Sequence, residues 1–140
     1  CLDVLTEKIE LVDVSAPSDK AAYCPFNDRI YVTHDNDPPG NFISVINPRG
    51  NIVEKTITKG TDQGVYGISY SPIINKIFTT NHKNDVGTIG TVSILDPETN
   101  TISNNLDVGA YPTDIVYNPK NGIMYVANYG TQNISFVKNL

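Results

Sequence analysis

A chain of 140 residues is long enough for one domain with a real core and short for two. Ten Lys and Arg against fifteen Asp and Glu leave a formal net charge of −5 with no basic run, so phosphate backbones and anionic lipid make poor partners. The longest apolar stretches, such as 123–127, are strand-sized, far short of the roughly 20 residues of a membrane helix, and no signal peptide is expected within the sequence.

From the N-terminus, LDVLTEKIELVDV (2–14) reads as the end of one strand and the start of the next. YCPFNDRIYVTH (23–34) then reads as strand, turn, strand, and the pattern returns as YSPIINKIFTTN (70–81) and YNPKNGIMYVAN (117–128). Pro25, Pro72 and Pro119 stand at a constant interval of 47, and the same interval aligns Tyr23 with Tyr70 and Tyr117, Tyr31 with Phe78 and Tyr125, and Ile30 with Ile77 and Met124. A third strand follows as FISVINP (42–48), TVSILDP (91–97) and NISFVKN (133–139), after a connection whose length differs between copies. A fourth follows the turns NPRGN and DPETN, over 49–57 and 98–108. Pro fixes φ and lacks a ladder donor, while Asn, Asp and Gly accept the left-handed conformation, so these clusters punctuate strands. Alternating Ile, Val, Tyr, Phe and Thr, with no helical apolar spacing, predicts an all-β chain.

Tandem units of about 40–50 residues with four antiparallel strands each are the sequence form of β-propeller blades. The expected layout is a partial blade over 1–14, blades over about 15–57 and 62–108, and a partial blade over 109–140. Three blades are fewer than the typical four to eight of a closed ring. The sequence is therefore read as part of a larger propeller, with subunit association or a capped open arc as the alternatives.

The segment DVGAYPTDIVYNPKNGIMYVANYGTQNISFV (107–137) resembles the YVTN β-propeller repeat, carried by Val108-Gly109, Pro112, Asn118-Pro119, Gly122, Tyr125-Val126-Ala127-Asn128 and Ile134-Ser135. The middle copy keeps Pro72, Phe78-Thr79-Thr80-Asn81 and Val92-Ser93-Ile94-Leu95-Asp96; the first keeps Pro25, Tyr31-Val32-Thr33-His34 and Ile43-Ser44-Val45-Ile46-Asn47, with His34 in the Asn column. The resemblance implies a propeller of the kind found in surface-layer and secreted proteins, many without a defined ligand, and also in lactonase-like and dehydrogenase-like enzymes. Fold alone does not choose among these.

In a propeller, the connections from strand four to the next strand one and from strand two to strand three share one face. Here they are 14–20, 59–66 and 108–114, with 34–41, 81–90 and 128–132, and they vary as functional loops do. They supply the candidate ligand-binding residues His34, Asp35, Asp37, Tyr66, Asn81, His82 and Asn128. A metal site would need the two His-containing connections to converge; DND lacks the Gly and closing Glu of a calcium loop, so these side chains are read as surface loop residues and no metal or cofactor is expected. No phosphate loop, nucleophile elbow or paired-carboxylate motif occurs. Cys1 and Cys24 lack zinc spacing and are read as free thiols, and the Asn133-Ile134-Ser135 sequon as a structural strand.

These readings favour a non-enzymatic, extracellular or cell-envelope propeller that binds a protein or envelope partner. The alternative is a piece of a lactonase-like or redox enzyme whose other catalytic groups lie in further blades. Open blade edges offer a third route, association by strand addition.

Overall fold

The computed structural model describes residues 9–35, 41–59, 64–83 and 85–138. Among these described residues, eleven strands run in chain order: β1 (Ala21–Cys24), β2 (Arg29–His34), β3 (Phe42–Asn47), β4 (Ile52–Thr58), β5 (Gly64–Ser71), β6 (Lys76–His82), β7 (Ile89–Asp96), β8 (Thr101–Ala110), β9 (Pro112–Asn118), β10 (Ile123–Asn128) and β11 (Asn133–Val137). They form three antiparallel meanders, β1 to β4, β5 to β8 and β9 to β11, with each strand beside its sequence neighbours. Among the described residues there is no helix, and none long and apolar enough to cross a membrane. The chain is all-β with blade-like sheets, and the described residues form no closed ring. Cys1 and the start of the expected partial blade over 1–14 lie outside the described residues.

The turns show why the chain folds where it does. Asp28, Asn75 and Gly122, 47 apart, close the first hairpin of each sheet with φ of 55°, 53° and 69°. Asn51 and Asn100 do the same between the third and fourth strands at 50° and 55°. These residue types reach the left-handed region at low cost, so turn chemistry sets each register. Asn47, Asp96 and Asn118 brace their turns by accepting from the backbone N–H two residues on.

The aromatic columns lock those turns to the strands. Tyr23 donates to Asp28 Oδ1 and Tyr70 to Asn75 Oδ1. Asn27 donates to Tyr31 Oη at 2.9 Å and Asn121 to Tyr125 Oη at 2.9 Å. In the middle sheet both partners of that second pair change together, to Ile74 and Phe78, and the pair becomes apolar. The recurring Tyr and Asn are structural partners.

The core lies between sheets. Tyr31, Ile43 and Val45 of the first sheet meet Val65, Ile68, Ile77 and Leu95 of the middle one. Phe78 and Val92 of the middle sheet meet Ile115, Met124 and Val126 of the last. Burial of each such side chain stabilises by roughly 1.5–3 kcal/mol relative to exposure, which drives the stacking that no single sheet could sustain. Cys24 is a free thiol buried in the first cluster, where desolvation raises its pKa and leaves it an inert packing residue.

Candidate functional site

His34, Asn81 and Asn128, one residue per sheet at intervals of 47, sit at the ends of β2, β6 and β10. Each is buried and reaches diagonally to the serine of the adjoining strand. His34 Nε2 lies 2.9 Å from Ser44 Oγ, Asn81 Nδ2 donates to Ser93 Oγ at 2.9 Å, and Asn128 Nδ2 to Ser135 Oγ at 2.8 Å. Asn81 also donates to the Thr91 carbonyl and hydroxyl, and Ser93 passes the chain on to Asn105 Oδ1 at 2.6 Å, linking three strands. His34 Nδ1 lies 2.9 Å from the Pro17 carbonyl, and its ring stacks on Phe42 at 4.3 Å. With Nδ1 as the donor to Pro17, Nε2 can accept from the Ser44 hydroxyl. This column pins strand to strand.

The next column, Asp35, His82 and Tyr129, has the same interval and different surroundings. Asp35 leaves the first sheet and meets His82 of the middle sheet, Oδ2 to Nε2 at 3.1 Å. It can do so because β5 begins with Gly64, the ladder partner of His82; a Cβ there would overlap the Asp35 carboxylate. Asp19 Oδ2 accepts from the Asp35 backbone N–H at 2.7 Å and holds the connection in place. On its other side the His82 ring stacks on Tyr111 at 4.1 Å and leans against Tyr66 at 5.7 Å. Tyr129 closes the row edge-on to Tyr111 at 6.0 Å and is 69% exposed.

Tyr111 carries a φ of 50° between β8 and β9. A bulky residue there costs on the order of 1–3 kcal/mol and persists only where its surroundings hold it. The Tyr111 carbonyl accepts from the Tyr129 N–H and the Ala110 carbonyl from the Gly130 N–H. Tyr111 stands where the middle copy has Gly64, so its ring is set against the middle sheet's column residue, His82, as Gly64 is set against Asp35.

His82 is 2% exposed. Burial works against its charge, but the Asp35 hydrogen bond and charge, the Lys83 carbonyl at 3.3 Å from Nδ1 and the Asp19 charge together raise its pKa. Both ring nitrogens face acceptors, so only the imidazolium donates to both.

Three sequence candidates, Asp35, Tyr66 and His82, come together at this end, joined by Asp19, Tyr111 and Tyr129. His34, Asn81 and Asn128 point instead into the sheets, and Asp37 lies outside the described residues. Reading both histidines as surface loop residues needs correction: each belongs to a strand and is buried. The two histidines do not share a site, and among the described residues no three His, Cys, Asp or Glu side chains gather to hold a metal ion. Tyr111 and Tyr129 were missed, although Tyr129 follows Asp35 and His82 at the repeat interval. A polar cleft of about 470 Å³ between the ends of β4 and β8 was also missed; Lys59 lines it, its pKa lowered by burial to about 8, and no repeated column marks that lysine.

No family model matches the chain, and no curated protein does. Solved structures do match, among them one titled Kuenenia stuttgartiensis Hydrazine Synthase, with a TM-score of 0.67 at 12% identity over 83% of this chain. The chain spans 38% of that chain's length. At such identity the likeness shows the fold alone.

Proposed function

We propose that the chain is a segment of a YVTN-type β-propeller of the cell exterior or envelope, and that it binds a partner, without turnover, through the end lined by Tyr66, His82, Tyr111 and Tyr129. The observation that carries this is an aromatic row shared by the middle and last sheets, met by Asp35 of the first sheet at His82 and ending in an exposed tyrosine. Tyr presents large amphipathic contact area at low conformational entropy, a composition that suits recognition.

Acid-base catalysis by the His82–Asp35 pair is the rival use of the same residues. A catalytic base needs a ring nitrogen free to meet the substrate proton. Both His82 nitrogens already face acceptors and the ring lies between two tyrosines, which favours binding over turnover.

Binding of the purified, labelled chain to isolated cell envelopes of its source organism tests the reading. Tyr129→Ala is expected to weaken binding at least tenfold while leaving the circular dichroism spectrum unchanged. Equal retention of both proteins, or none of either, would sink it.

A further inference from the structure

The cleft of about 470 Å³ between β4 and β8, the edge strands of the first and middle sheets, shares no residue with the aromatic row. Its size falls within the roughly 300–1,000 Å³ of small-molecule sites. Lys59, which lines it just past the end of β4, is out of keeping with a packing role. Ser44 pairs with Thr56 and Ser93 with Asn105, so three residues further on Lys59 of the first sheet corresponds to Val108 of the middle one. Val108 packs against the second hydrophobic cluster, as a slot between two sheets demands. Lys59 is half-buried in that slot, and burial lowers its pKa to about 8, which still leaves it an ammonium ion at neutral pH. A cation where an apolar side chain would serve costs stability, and such costs gather where a charge is used.

The rest of the cleft is rich in donors. Asn100 Oδ1 accepts from the Tyr31 hydroxyl at 2.8 Å, and Asn105 Oδ1 from the Ser93 hydroxyl at 2.6 Å. Both amides spend an acceptor inside the protein and keep their N–H donors for the cleft they line. Thr58, Thr101 and Ser103 add hydroxyls, and Ile57 and Ile102 add apolar surface. Among the described residues Lys59 is the only ionisable group in the lining, and no carboxylate stands there in a chain that has fifteen.

We propose that this cleft binds a small hydroxylated carboxylate of the sugar-acid class, its carboxylate held by Lys59 and the amides of Asn100 and Asn105. Its hydroxyls meet Thr58, Thr101 and Ser103, and the C–H face of its ring lies on Ile57 and Ile102. One ammonium ion balances one carboxylate. A phosphate ester carries nearly two negative charges and would leave one of them uncompensated in a chain of net charge −5. Because the cleft and the aromatic row are made of different residues, this proposal and the binding reading stand or fall separately.

Calorimetric titration of the purified chain with glucuronate, glucose and glucose 6-phosphate tests it. At neutral pH glucuronate is expected to bind at least tenfold more tightly than either of the others. Lys59→Met suits the slot that Val108 fills in the middle sheet, so it should fold and lose the preference for glucuronate over glucose. Asn105→Asp keeps the acceptor for Ser93 and sets a carboxylate in the cleft, so it should weaken glucuronate at least tenfold and leave glucose little changed. Above a pH of about 8 the wild-type affinity for glucuronate should fall about tenfold per pH unit as Lys59 loses its proton, whereas Lys59→Met should show no such fall. No saturation by glucuronate, equal affinity for glucose, tighter binding of glucose 6-phosphate, or a preference that survives Lys59→Met would each overturn the proposal.

Discussion

Adjacent residues in this chain lead opposite lives. His34, Asn81 and Asn128 turn into their own sheets and do one job, bonding a serine across the strand. Asp35, His82 and Tyr129, one residue further on, turn outward, and the first two touch the next sheet, with Asp35 on His82 and His82 on Tyr111. The inward column is constrained by hydrogen-bond geometry within a sheet, which admits Asn or His. The outward column is constrained only by its neighbour, so acid, imidazole and phenol alternate in it. A fixed spacing thus reports position, and the chemistry at that position reports what it faces.

The largest effect should come from breaking the inward column. Asn81→Leu removes the donor to Thr91 and Ser93 and strands buried acceptors, and about 2–4 kcal/mol of unfolding free energy should be lost. Urea denaturation measures it, and an unchanged midpoint would show that the column does not pin the sheet. The paired switch in the middle sheet gives a smaller effect. Phe78→Tyr alone buries a hydroxyl where Ile74 offers no partner, at about 1–3 kcal/mol, and adding Ile74→Asn should recover about 1 kcal/mol by recreating the Asn27–Tyr31 pair. Strict additivity in that cycle would contradict the coupling.

The outward column should reveal itself through pH. His82 has a raised pKa in the folded chain, so the folded state holds its proton more tightly than the unfolded state does. The resulting stabilisation is fully present below the unfolded value of about 6.5 and is lost as pH rises through the raised folded value. Unfolding followed from pH 5 to 9 should show this decline in the wild type and a flatter profile in Asp35→Asn, which removes the favourable charge. Identical profiles would mean that Asp35 does not hold the imidazolium.

Strand order and turn positions were legible in the sequence because they rest on local chemistry. Pro, Asn, Asp and Gly at one interval determine where the backbone turns left-handed, and Asp28, Asn75 and Gly122 do so at that interval. The site was half legible. The expected blade topology puts the six connections on one face, and that pointed to Asp35, Tyr66 and His82. The same topology did not separate them from His34, Asn81 and Asn128, because consecutive strand residues face opposite ways and only a three-dimensional register says which way is inward. Tyr111 was invisible for another reason: its ring is aimed by a positive φ, which no residue preference for tyrosine foretells.

Tyr129 gives the smallest effect on stability and the sharpest separation of the two columns. Its ring touches Tyr111 edge-on and otherwise faces solvent, so Tyr129→Ala should change unfolding free energy by about 0.5 kcal/mol, near the scatter of surface substitutions. Asn128→Ala, its immediate neighbour, loses bonds to Asn133 and Ser135 and should cost about 1–3 kcal/mol. If the outward column recognises a partner, the order reverses in an envelope-binding assay: Tyr129→Ala loses binding and keeps its midpoint, whereas Asn128→Ala, assayed below its own midpoint, keeps binding. Two residues joined by one peptide bond would then differ in what they are for, and matching losses in both assays would mean that the outward column is packing as well.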